Sequence, residues 1–360
     1  MSDASQSTAG AALEVDCLIV GGGAAGLSAA INLGRMRRRV LLVDARDRFI
    51  WSHVINNYLG FPDGISAVDI RRQGWHQAAR YGVRLMLGQV AEVSALPEGG
   101  RVDRGPAFRA AIARLHPDGM FAGRPGPIPP RDPEMASMFE QPAEGAPLPV
   151  LARTVLLATG VMGHFPEFAG RDRCVGKSLF WCIQCDGFES SGKVVGVVGF
   201  DEEAAETALG LLDFTDRVTL VAGRPEGFDL PPSRLDELRA NGIATYPSDV
   251  DTYRNASGEI DALVLDDAAG TLLPVEHVYS VRPSIAMSGL AKQLGVTFDA
   301  AGQIVVNAAQ ETNVAGVYAA GDVTSPHNHQ LSAAAHEGNE AACAINYQLY
   351  RPVQKSPGDR

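Results

Sequence analysis

Residues 16–36 read DCLIVGGGAAGLSAAINLGRM, and this stretch decides the fold class. The apolar run at its start predicts a buried strand, and the alanine-rich stretch at its end predicts a helix. Between them, Gly21, Gly23 and Gly26 have the G-x-G-x-x-G spacing of a tight turn from strand into helix. A second apolar strand ends at Asp44. The pattern predicts a βαβ unit in an α/β fold.

The glycine turn also predicts a dinucleotide site. Glycines let the backbone approach a diphosphate, the helix N-terminus attracts its negative charge, and an acid after the next strand binds a ribose hydroxyl. The alternative is a glycine-rich turn that serves structure alone. The residues predicted to bind the nucleotide here are Gly21, Gly23, Ala24, Ala25, Gly26 and Asp44.

A second strand, turn and helix are predicted in KVVGVVGFDEEAAE, residues 193–206. Residues 99–149 are rich in proline and predict an insertion of extended loops, with a hairpin as the alternative to loops alone. Short strands follow at IVVN (304–307) and GVYAAGD (316–322), before a final helix over residues 330–348. We predict two Rossmann-like dinucleotide-binding domains of three layers, the second inserted into the first. Residues 1–160 and 286–360 form the first domain, and residues 161–285 form the second.

Composition narrows the function classes. A net charge of −11 over 360 residues argues against nucleic acid or an anionic membrane as the main partner. No apolar run approaches the roughly 20 residues of a membrane span, and the N-terminus does not resemble a signal peptide. Five cysteines do not make a disulfide scaffold in a chain this long, so we expect a cytoplasmic protein. The basic cluster Arg35, Arg37, Arg38 and Arg39 is expected to cap a helix end, with docking of an acidic partner as the alternative.

A close pair of cysteines predicts redox chemistry. Cys182 and Cys185 are separated by two residues and followed at once by Asp186. Such a pair can close a small disulfide, and a position at a helix start favours its thiolates. Cys17, Cys174 and Cys343 are isolated in the sequence, which disfavours a zinc site. Structural, inert thiols are the other alternative.

Five segments together carry a resemblance to a known family. They are GGGAAGLSAA (21–30), NNYLGFPDGI (56–65), LLATG (156–160), WCIQCDGF (181–188) and TNVAGVYAAGDV (312–323). With them the sequence resembles the low-molecular-weight thioredoxin reductases over most of the chain, and only weakly over residues 99–149. The resemblance implies FAD in the first domain, a homodimer, and a partner that is a thioredoxin-like protein or a small-molecule disulfide or dithiol.

The resemblance also implies roles for individual residues. Asp322 would bind the ribitol of FAD, and Asn57 and Gln330 would lie near the isoalloxazine. Cys185 would meet the flavin, Cys182 would attack the partner disulfide, and Asp186 would be their acid and base. The implied cofactor set is completed by Thr159, Gly160, Gly321, His329 and Leu331.

The chain departs from this family at the second glycine loop. Thioredoxin reductases carry roughly G-G-G-D-S-A there to bind NADPH, whereas residues 199–204 read GFDEEA. Asp201 would intrude where the backbone should approach a diphosphate, and its carboxylate and those that follow would repel the phosphates. Arg224 stands alone where relatives place a histidine–arginine cluster for the 2′-phosphate. We therefore predict an enzyme that does not use NADPH.

Several electron partners stay open. The donor could be reduced ferredoxin, another flavin, or a second flavin bound in the inserted domain. A dithiol oxidase that uses oxygen is an alternative, because His327, His329 or His336 could deprotonate an incoming thiol. An NADH-dependent thioredoxin reductase and a flavin redox sensor without turnover are further alternatives. The balance favours an atypical, FAD-dependent disulfide oxidoreductase.

Overall fold

The computed structural model describes residues 12–45, 54–97, 105–115, 137–163, 166–256, 258–324 and 329–350. The chain divides into two compact units. The first comprises Met1–Phe49, Arg71–Met162 and Ile285–Arg360, and the second comprises Ile50–Ile70 and Gly163–Ser284. The sequence alone assigns residues 50–70 to the first domain, whereas by contacts they group with the second unit.

The elements are numbered in chain order. The strands are β1 Leu13–Val20, β2 Val40–Asp44, β3 Val54–Ile55, β4 Ile65–Ser66, β5 Arg84–Leu87, β6 Gln89–Ala95, β7 Phe108–Ala113, β8 Phe139–Glu140, β9 Leu148–Leu157, β10 Val161–Met162, β11 Leu179–Phe180, β12 Val195–Val198, β13 Val218–Val221, β14 Ala244–Tyr246, β15 Asp249–Ala256, β16 Glu259–Asp266, β17 Leu272–Pro274, β18 His277–Ser280, β19 Ile285–Ala286 and β20 Val317–Ala319. The helices are α1 Ala24–Arg35, α2 Ala67–Arg80, α3 Arg171–Cys174, α4 Ile183–Asp186, α5 Glu202–Gly210, α6 Pro232–Ala240, α7 Gly289–Gln293 and α8 Leu331–Gln348.

The first unit is built on one mixed sheet in the order β6-β7-β9-β1-β2-β5-β8, with β20 also paired to β9. Strands β20, β9, β1, β2, β5 and β8 are parallel to their neighbours, while β6 and β7 are antiparallel additions. Strand β2 is buried along its whole length, as a parallel strand covered on both faces should be. Helices α1 and α8 pack closely, since a Cβ on Gly338 would lie 2.1 Å from the Ala25 carbonyl oxygen.

One local prediction for this unit is refined and another is wrong. Within residues 99–149, predicted as extended loops with a hairpin as the alternative, residues 108–113 form β7, antiparallel to both β6 and β9. Their alternating burial is the period-2 pattern of a strand, hidden in the sequence among the surrounding prolines. The predicted strand at residues 304–307 is reduced to a single bridge between Phe298 and Ile304.

The second unit contains a parallel sheet in the order β11-β18-β12-β13-β14. Beside it lie an antiparallel sheet, β15-β16-β17, and a short β3-β4 hairpin. Helix α5 packs on the parallel sheet through Ala204, Ala205 and Ala208, because these small side chains share one buried face. The predicted strand, turn and helix over residues 193–206 is thus present as β12 and α5.

These two parallel-sheet units confirm the predicted α/β fold class with two Rossmann-like domains. Across the described ranges, no helix combines the length and the apolar character that crossing a bilayer requires.

Candidate active site

The glycine turn between β1 and α1 leaves no room for side chains at two of its three motif positions. Gly21 has a φ of +110°, and a Cβ there would lie 2.1 Å from the Ala158 carbonyl oxygen. A Cβ on Gly26 would lie 1.9 Å from the Gly21 carbonyl oxygen. These two glycines are therefore required by the fold, because the turn folds tightly against both the end of β9 and its own helix.

Gly23 has a different environment, and it tests whether the turn can hold a ligand. Among the described residues, no heavy atom beyond its chain neighbours lies within 4 Å of an ideal Cβ at Gly23. Gly23 is the N-cap of α1, and no described side chain caps the helix there. The first N–H groups of α1, which include those of Ala24 and Ala25, thus begin at an open position. The arrangement fits an anionic group such as a diphosphate.

Asp44 ends β2 and lies beside this turn. A Cβ on Gly22 would lie 2.6 Å from its Oδ2 atom, so the carboxylate is held against the glycine segment. Arg71 of α2 forms an ion pair with Asp44, and both residues are buried. Arg71 was not predicted from the sequence, because a single arginine gives no signal of a distant buried partner.

The other predicted nucleotide residues of this unit follow strands of the same sheet. Thr159 and Gly160 follow β9, and Gly321 and Asp322 follow β20 closely. Since β1, β9 and β20 are parallel neighbours, their carboxyl ends meet at one edge of the sheet. Topology thus brings these segments to the edge that carries the glycine turn.

The Gly321 turn is held by a carboxylate from α8. Glu337 accepts hydrogen bonds from the Gly321 N–H at 2.6 Å and from the Thr324 hydroxyl at 3.2 Å. Burial raises the pKa of Asp322, the charge of Glu337 acts in the same direction, and His329 opposes both. Gln330 is the N-cap of α8 and Leu331 its first residue. Glu337 was missed, since an acid inside a predicted helix does not reveal such a contact.

Cys182 and Cys185 form a disulfide in the second unit, with their Cα atoms 5.3 Å apart. Cys182 is the N-cap of the one-turn helix α4, and its sulfur accepts the Cys185 N–H at 3.2 Å. The two predicted redox cysteines are therefore joined to each other as a disulfide at the start of a helix. Cys17 and Cys174 are buried and Cys343 is half-buried, so the other thiols are separate from it.

Asp186 is the last residue of α4 and is 3% exposed. Burial, and secondly the charge of Glu189, raise the pKa of its carboxyl to about 7. A carboxyl with such a pKa can both donate and accept a proton near neutral pH. Next to it, Phe188 is largely exposed.

The second glycine loop is closed by its own side chains. Asp201 is the N-cap of α5, and its carboxylate accepts the Ala204 N–H at 3.3 Å. Glu202 in the first turn pairs with Arg234 of α6. The Phe200 carbonyl accepts the Asp229 N–H at 2.8 Å. The backbone donor that a phosphate would use at this helix is thus occupied from within the chain.

The cations near this loop also have partners inside the unit. The Arg224 guanidinium lies 3.9 Å from the Phe200 ring centroid and donates to the Gly227 carbonyl at 2.7 Å. Arg282, which the sequence analysis did not identify, donates to the Gly223 carbonyl at 3.0 Å. The loop therefore carries three acids, of which Glu202 is paired with Arg234. Arg224 lies on the ring of Phe200 and Arg282 donates to a neighbouring backbone carbonyl, so both arginines already have partners within the unit.

Two arginines of the basic cluster at residues 35–39 make contacts within the first unit. Arg38 donates to the carbonyls of Asn346 and Leu349, both at 3.4 Å, and so caps the end of α8. Arg39 pairs with Asp16 at 3.0 Å. Arg35 and Arg37 are exposed.

Three predicted residues remain. Asn57 is exposed in the turn between β3 and β4, in the second unit. His336 is exposed on α8. His327 falls outside the described residues.

Known proteins resemble this chain over most of its length. The family model described as pyridine nucleotide-disulphide oxidoreductase matches residues 15–338. A thioredoxin reductase of Helicobacter pylori is 26% identical over 345 residues, which cover 92% of this chain and 97% of the relative.

Solved structures share the fold. The thioredoxin reductase of Streptococcus pyogenes superposes with a TM-score of 0.74 at 20% identity, covering 94% of this chain and 99% of its own. The crystal structure of HlmI also gives a TM-score of 0.74, at 26% identity, covering 93% of this chain and 92% of its own. With the family model matched over most of its length and the disulfide in place, this chain belongs to the pyridine nucleotide-disulphide oxidoreductase family and is a flavin-dependent disulfide oxidoreductase.

Proposed function

We propose that this chain exchanges electrons between FAD and a partner disulfide or dithiol through Cys182 and Cys185, and that it does so without NADPH. The observation that carries the second part is the capping of α5 by Asp201. The first part is supported by the open helix start at Gly23, the paired cysteines and the family match.

FAD would be held at the sheet edge of the first unit. The open N-terminus of α1 would take the diphosphate, Asp44 a ribose hydroxyl, and Asp322 the ribitol. When bound, the flavin would supply the two electrons that reduce the Cys182–Cys185 disulfide. The proposed cofactor residues are Gly21, Gly23, Ala24, Ala25, Gly26, Asp44, Asn57, Thr159, Gly160, Gly321, Asp322, His329, Gln330 and Leu331.

The dithiol then acts on its partner by two exchanges. The Cys182 thiolate attacks one sulfur of the partner disulfide, so that a mixed disulfide forms and the other partner sulfur leaves as a thiolate. The Cys185 thiolate next attacks the Cys182 sulfur, which restores the internal disulfide and releases the second partner thiolate. The partner gains two electrons and two protons, and the internal dithiol loses both.

Asp186 is the proposed source and acceptor of these protons. Burial raises its pKa to about 7, so that the carboxyl is partly protonated at neutral pH. It can thus protonate a leaving thiolate in one direction and take up a proton in the other. An exposed carboxyl with an ordinary pKa would be almost fully ionised there and a poor acid.

NADPH fits the second loop poorly for an electrostatic reason. Two like charges 4 Å apart repel by about 1 kcal/mol in water and by roughly 4 kcal/mol at an effective dielectric of 20. A diphosphate at this loop would meet the carboxylate of Asp201, which caps α5, close to those of Glu203 and of Glu202, the latter paired with Arg234. Displacing the Asp201 cap would cost a further contribution of about 1 kcal/mol.

The proposed disulfide partner and electron donor are inferred from the chemistry of the site and from the relatives. Several relatives are named thioredoxin reductase, which supports a thioredoxin-like disulfide partner, with a small-molecule disulfide as the alternative. Ferredoxin, another flavin, or a second flavin in the second unit would replace NADPH as donor. The exposed Arg35 and Arg37 are poor candidates for ferredoxin docking, because the 12 residues of α1 separate them from Gly23 by about 18 Å. A homodimer in the cytoplasm completes the proposal.

Two alternatives have specific support. His329 acts electrostatically on Asp322 at the proposed FAD site, so a histidine base for a dithiol oxidase lies near that site. For NADH, Arg282 brings a second cation to the second loop, and the buried Ser280 hydroxyl beside it lacks a hydrogen-bond partner among the described residues. A redox sensor without turnover has no such support.

The experiment is anaerobic reduction of the yellow protein, followed by flavin absorbance. We expect excess dithiothreitol to bleach the flavin, and micromolar NADPH or NADH to leave it oxidised. Rapid bleaching by NADPH would overturn the NADPH-independent proposal, and bleaching by NADH alone would select the NADH alternative. Oxygen uptake during dithiol oxidation in air would select the oxidase.

A matched pair of variants tests the dithiol. Cys182→Ser should abolish turnover with a partner disulfide, whereas Cys343→Ser, a change at a half-buried cysteine outside the pair, should leave it intact. Disulfide turnover that persists in Cys182→Ser would overturn the assigned exchange.

A further inference from the structure

A buried chain of hydrogen bonds runs from strand β18 to the dithiol helix. His277 Nδ1 lies 2.9 Å from Ser190 Oγ, and Ser190 Oγ lies 3.0 Å from the Tyr279 hydroxyl oxygen. The Tyr279 hydroxyl in turn donates to the Asp186 carbonyl oxygen at 2.8 Å. All three side chains are buried, and the chain ends on the last residue of α4.

Counting protons fixes the direction of every bond in this chain. The Asp186 carbonyl can only accept, so the single hydroxyl proton of Tyr279 is used there. The Ser190 hydroxyl must then donate to Tyr279, which leaves Ser190 Oγ as an acceptor toward the histidine. His277 must therefore carry a proton on Nδ1. Burial lowers the pKa of His277, with Lys193 acting in the same direction, which favours a neutral ring with Nε2 unprotonated.

Tyr279 holds the dithiol segment at both ends. Before the dithiol, β11 pairs with β18 in a register that places Phe180 opposite Tyr279. After the dithiol, the Tyr279 hydroxyl binds the carbonyl of Asp186. A one-turn helix satisfies few of its own carbonyl groups, so this hydroxyl supplies a donor that α4 cannot provide.

We propose that Tyr279 is a positioning residue for the dithiol, and that Ser190 and His277 orient its hydroxyl so that α4 keeps its place and the Asp186 carboxyl stays buried. The role is distinct from catalysis, because the bond is made to the backbone carbonyl of Asp186, whereas the proposed proton exchange takes place at its carboxyl. The inference rests on the proposed role of Asp186 in thiol–disulfide exchange.

The first test needs no variant. Nitrogen-15 spectra of histidine-labelled protein at neutral pH should show His277 with its proton on Nδ1 and Nε2 unprotonated. A ring protonated on Nε2 would overturn the proposal, because the chain could not then run in the direction derived. The NMR readout uses no nicotinamide, so rapid flavin reduction by NADPH would overturn the proposed electron source and leave this inference standing.

The second test compares two tyrosine-to-phenylalanine variants. Tyr253 is also buried, and its hydroxyl has no hydrogen-bond partner among the described residues, so Tyr253→Phe is a matched control. Tyr279→Phe should speed amide hydrogen exchange across residues 185–188 by about tenfold, the effect of one lost buried hydrogen bond. Tyr253→Phe should leave this exchange unchanged.

The same variants should differ in the pH dependence of exchange with an aryl disulfide. Burial and the charge of Glu189 raise the pKa of the Asp186 carboxyl, while the neighbouring Tyr279 hydroxyl stays neutral because burial raises its pKa. A looser α4 would hydrate the Asp186 carboxyl and move its pKa down, so the pH midpoint should fall by about one unit in Tyr279→Phe.

Ser190→Ala should shift the pH midpoint less when it is made in the Tyr279→Phe protein than when it is made in the wild type. The reason is that both substitutions act through the same hydrogen bond to the Asp186 carbonyl. A Tyr279→Phe protein that matches Tyr253→Phe in both the pH midpoint and hydrogen exchange would overturn the proposal.

Discussion

The carboxylate of Asp201 accepts a hydrogen bond from the Ala204 N–H at 3.3 Å, across the first turn of α5. In a nucleotide-binding turn, N–H groups at that position face the ligand's phosphates. Gly199 before them still requires glycine, because a Cβ there would lie 2.5 Å from the Val281 carbonyl oxygen. The loop thus has glycine where packing demands it and Asp201 where the helix N-terminus is capped.

Restoring the glycines should restore nucleotide binding. The quadruple variant Phe200→Gly, Asp201→Gly, Glu202→Asp and Glu203→Ser removes the internal cap, two of the three charges and the ring that holds Arg224. We expect NADPH to bind this variant measurably more tightly than the parent, by calorimetry. The control is Glu206→Ser on the same helix, outside the loop, which should bind NADPH as weakly as the parent does. Equal affinity for the parent and the quadruple variant would contradict this account.

Alanine substitutions at Gly23 and Gly26 should distinguish an effect on FAD binding from an effect on folding. Gly23→Ala adds a Cβ that meets no described atom within 4 Å, whereas the same atom at Gly26 would lie 1.9 Å from the Gly21 carbonyl. We expect Gly23→Ala to retain the thermal midpoint of the flavin-free protein and to lose FAD affinity. Gly26→Ala should lose both, at a cost of about 1–3 kcal/mol in stability. Thermal unfolding and flavin titration measure the two effects, and full FAD affinity in Gly23→Ala would contradict the proposed diphosphate site.

The sequence predicted the features that depend on short patterns. Each of these features is a local arrangement that can be recognised within about 20 residues of sequence. They are the glycine turns, the parallel strands and the close cysteine pair. The partners of those features were not predictable. Each of these contacts joins two residues that are far apart in the chain, and the partner is an ordinary residue of a helix or strand. The contacts are Arg71 with Asp44, Glu337 with Gly321, and Tyr279 with Asp186. Strand β7 has a local pattern of its own, but the neighbouring prolines favoured extended loops, so a hairpin in that segment was predicted only as the alternative.

Asp186→Asn should stabilise the oxidised protein increasingly as pH rises. The pKa of Asp186 is raised to about 7, so folding disfavours the ionised carboxyl, and the wild type loses stability between the ordinary pKa of 3.8 and pH 7. The full difference between these two pKa values corresponds to about 4 kcal/mol in the free energy of unfolding. We expect the two proteins to differ least near pH 4 and most at pH 8, in urea unfolding at each pH. A constant difference across this range would show that Asp186 does not titrate with a raised pKa.

The buried pair of Arg71 and Asp44 should cost far more to break than an exposed pair. Arg71 is 9% exposed and Asp44 is 7% exposed, and the Arg71 guanidinium also lies 5.0 Å from the Trp75 ring centroid. Arg71→Ala leaves a buried carboxylate without this partner, for which about 3 kcal/mol is expected. The control is Arg254→Ala, which breaks a half-exposed pair with Asp261 and should cost under about 1 kcal/mol. Urea unfolding of both variants with FAD present gives the comparison, and equal costs would show that the Asp44 carboxylate does not depend on Arg71 for its burial.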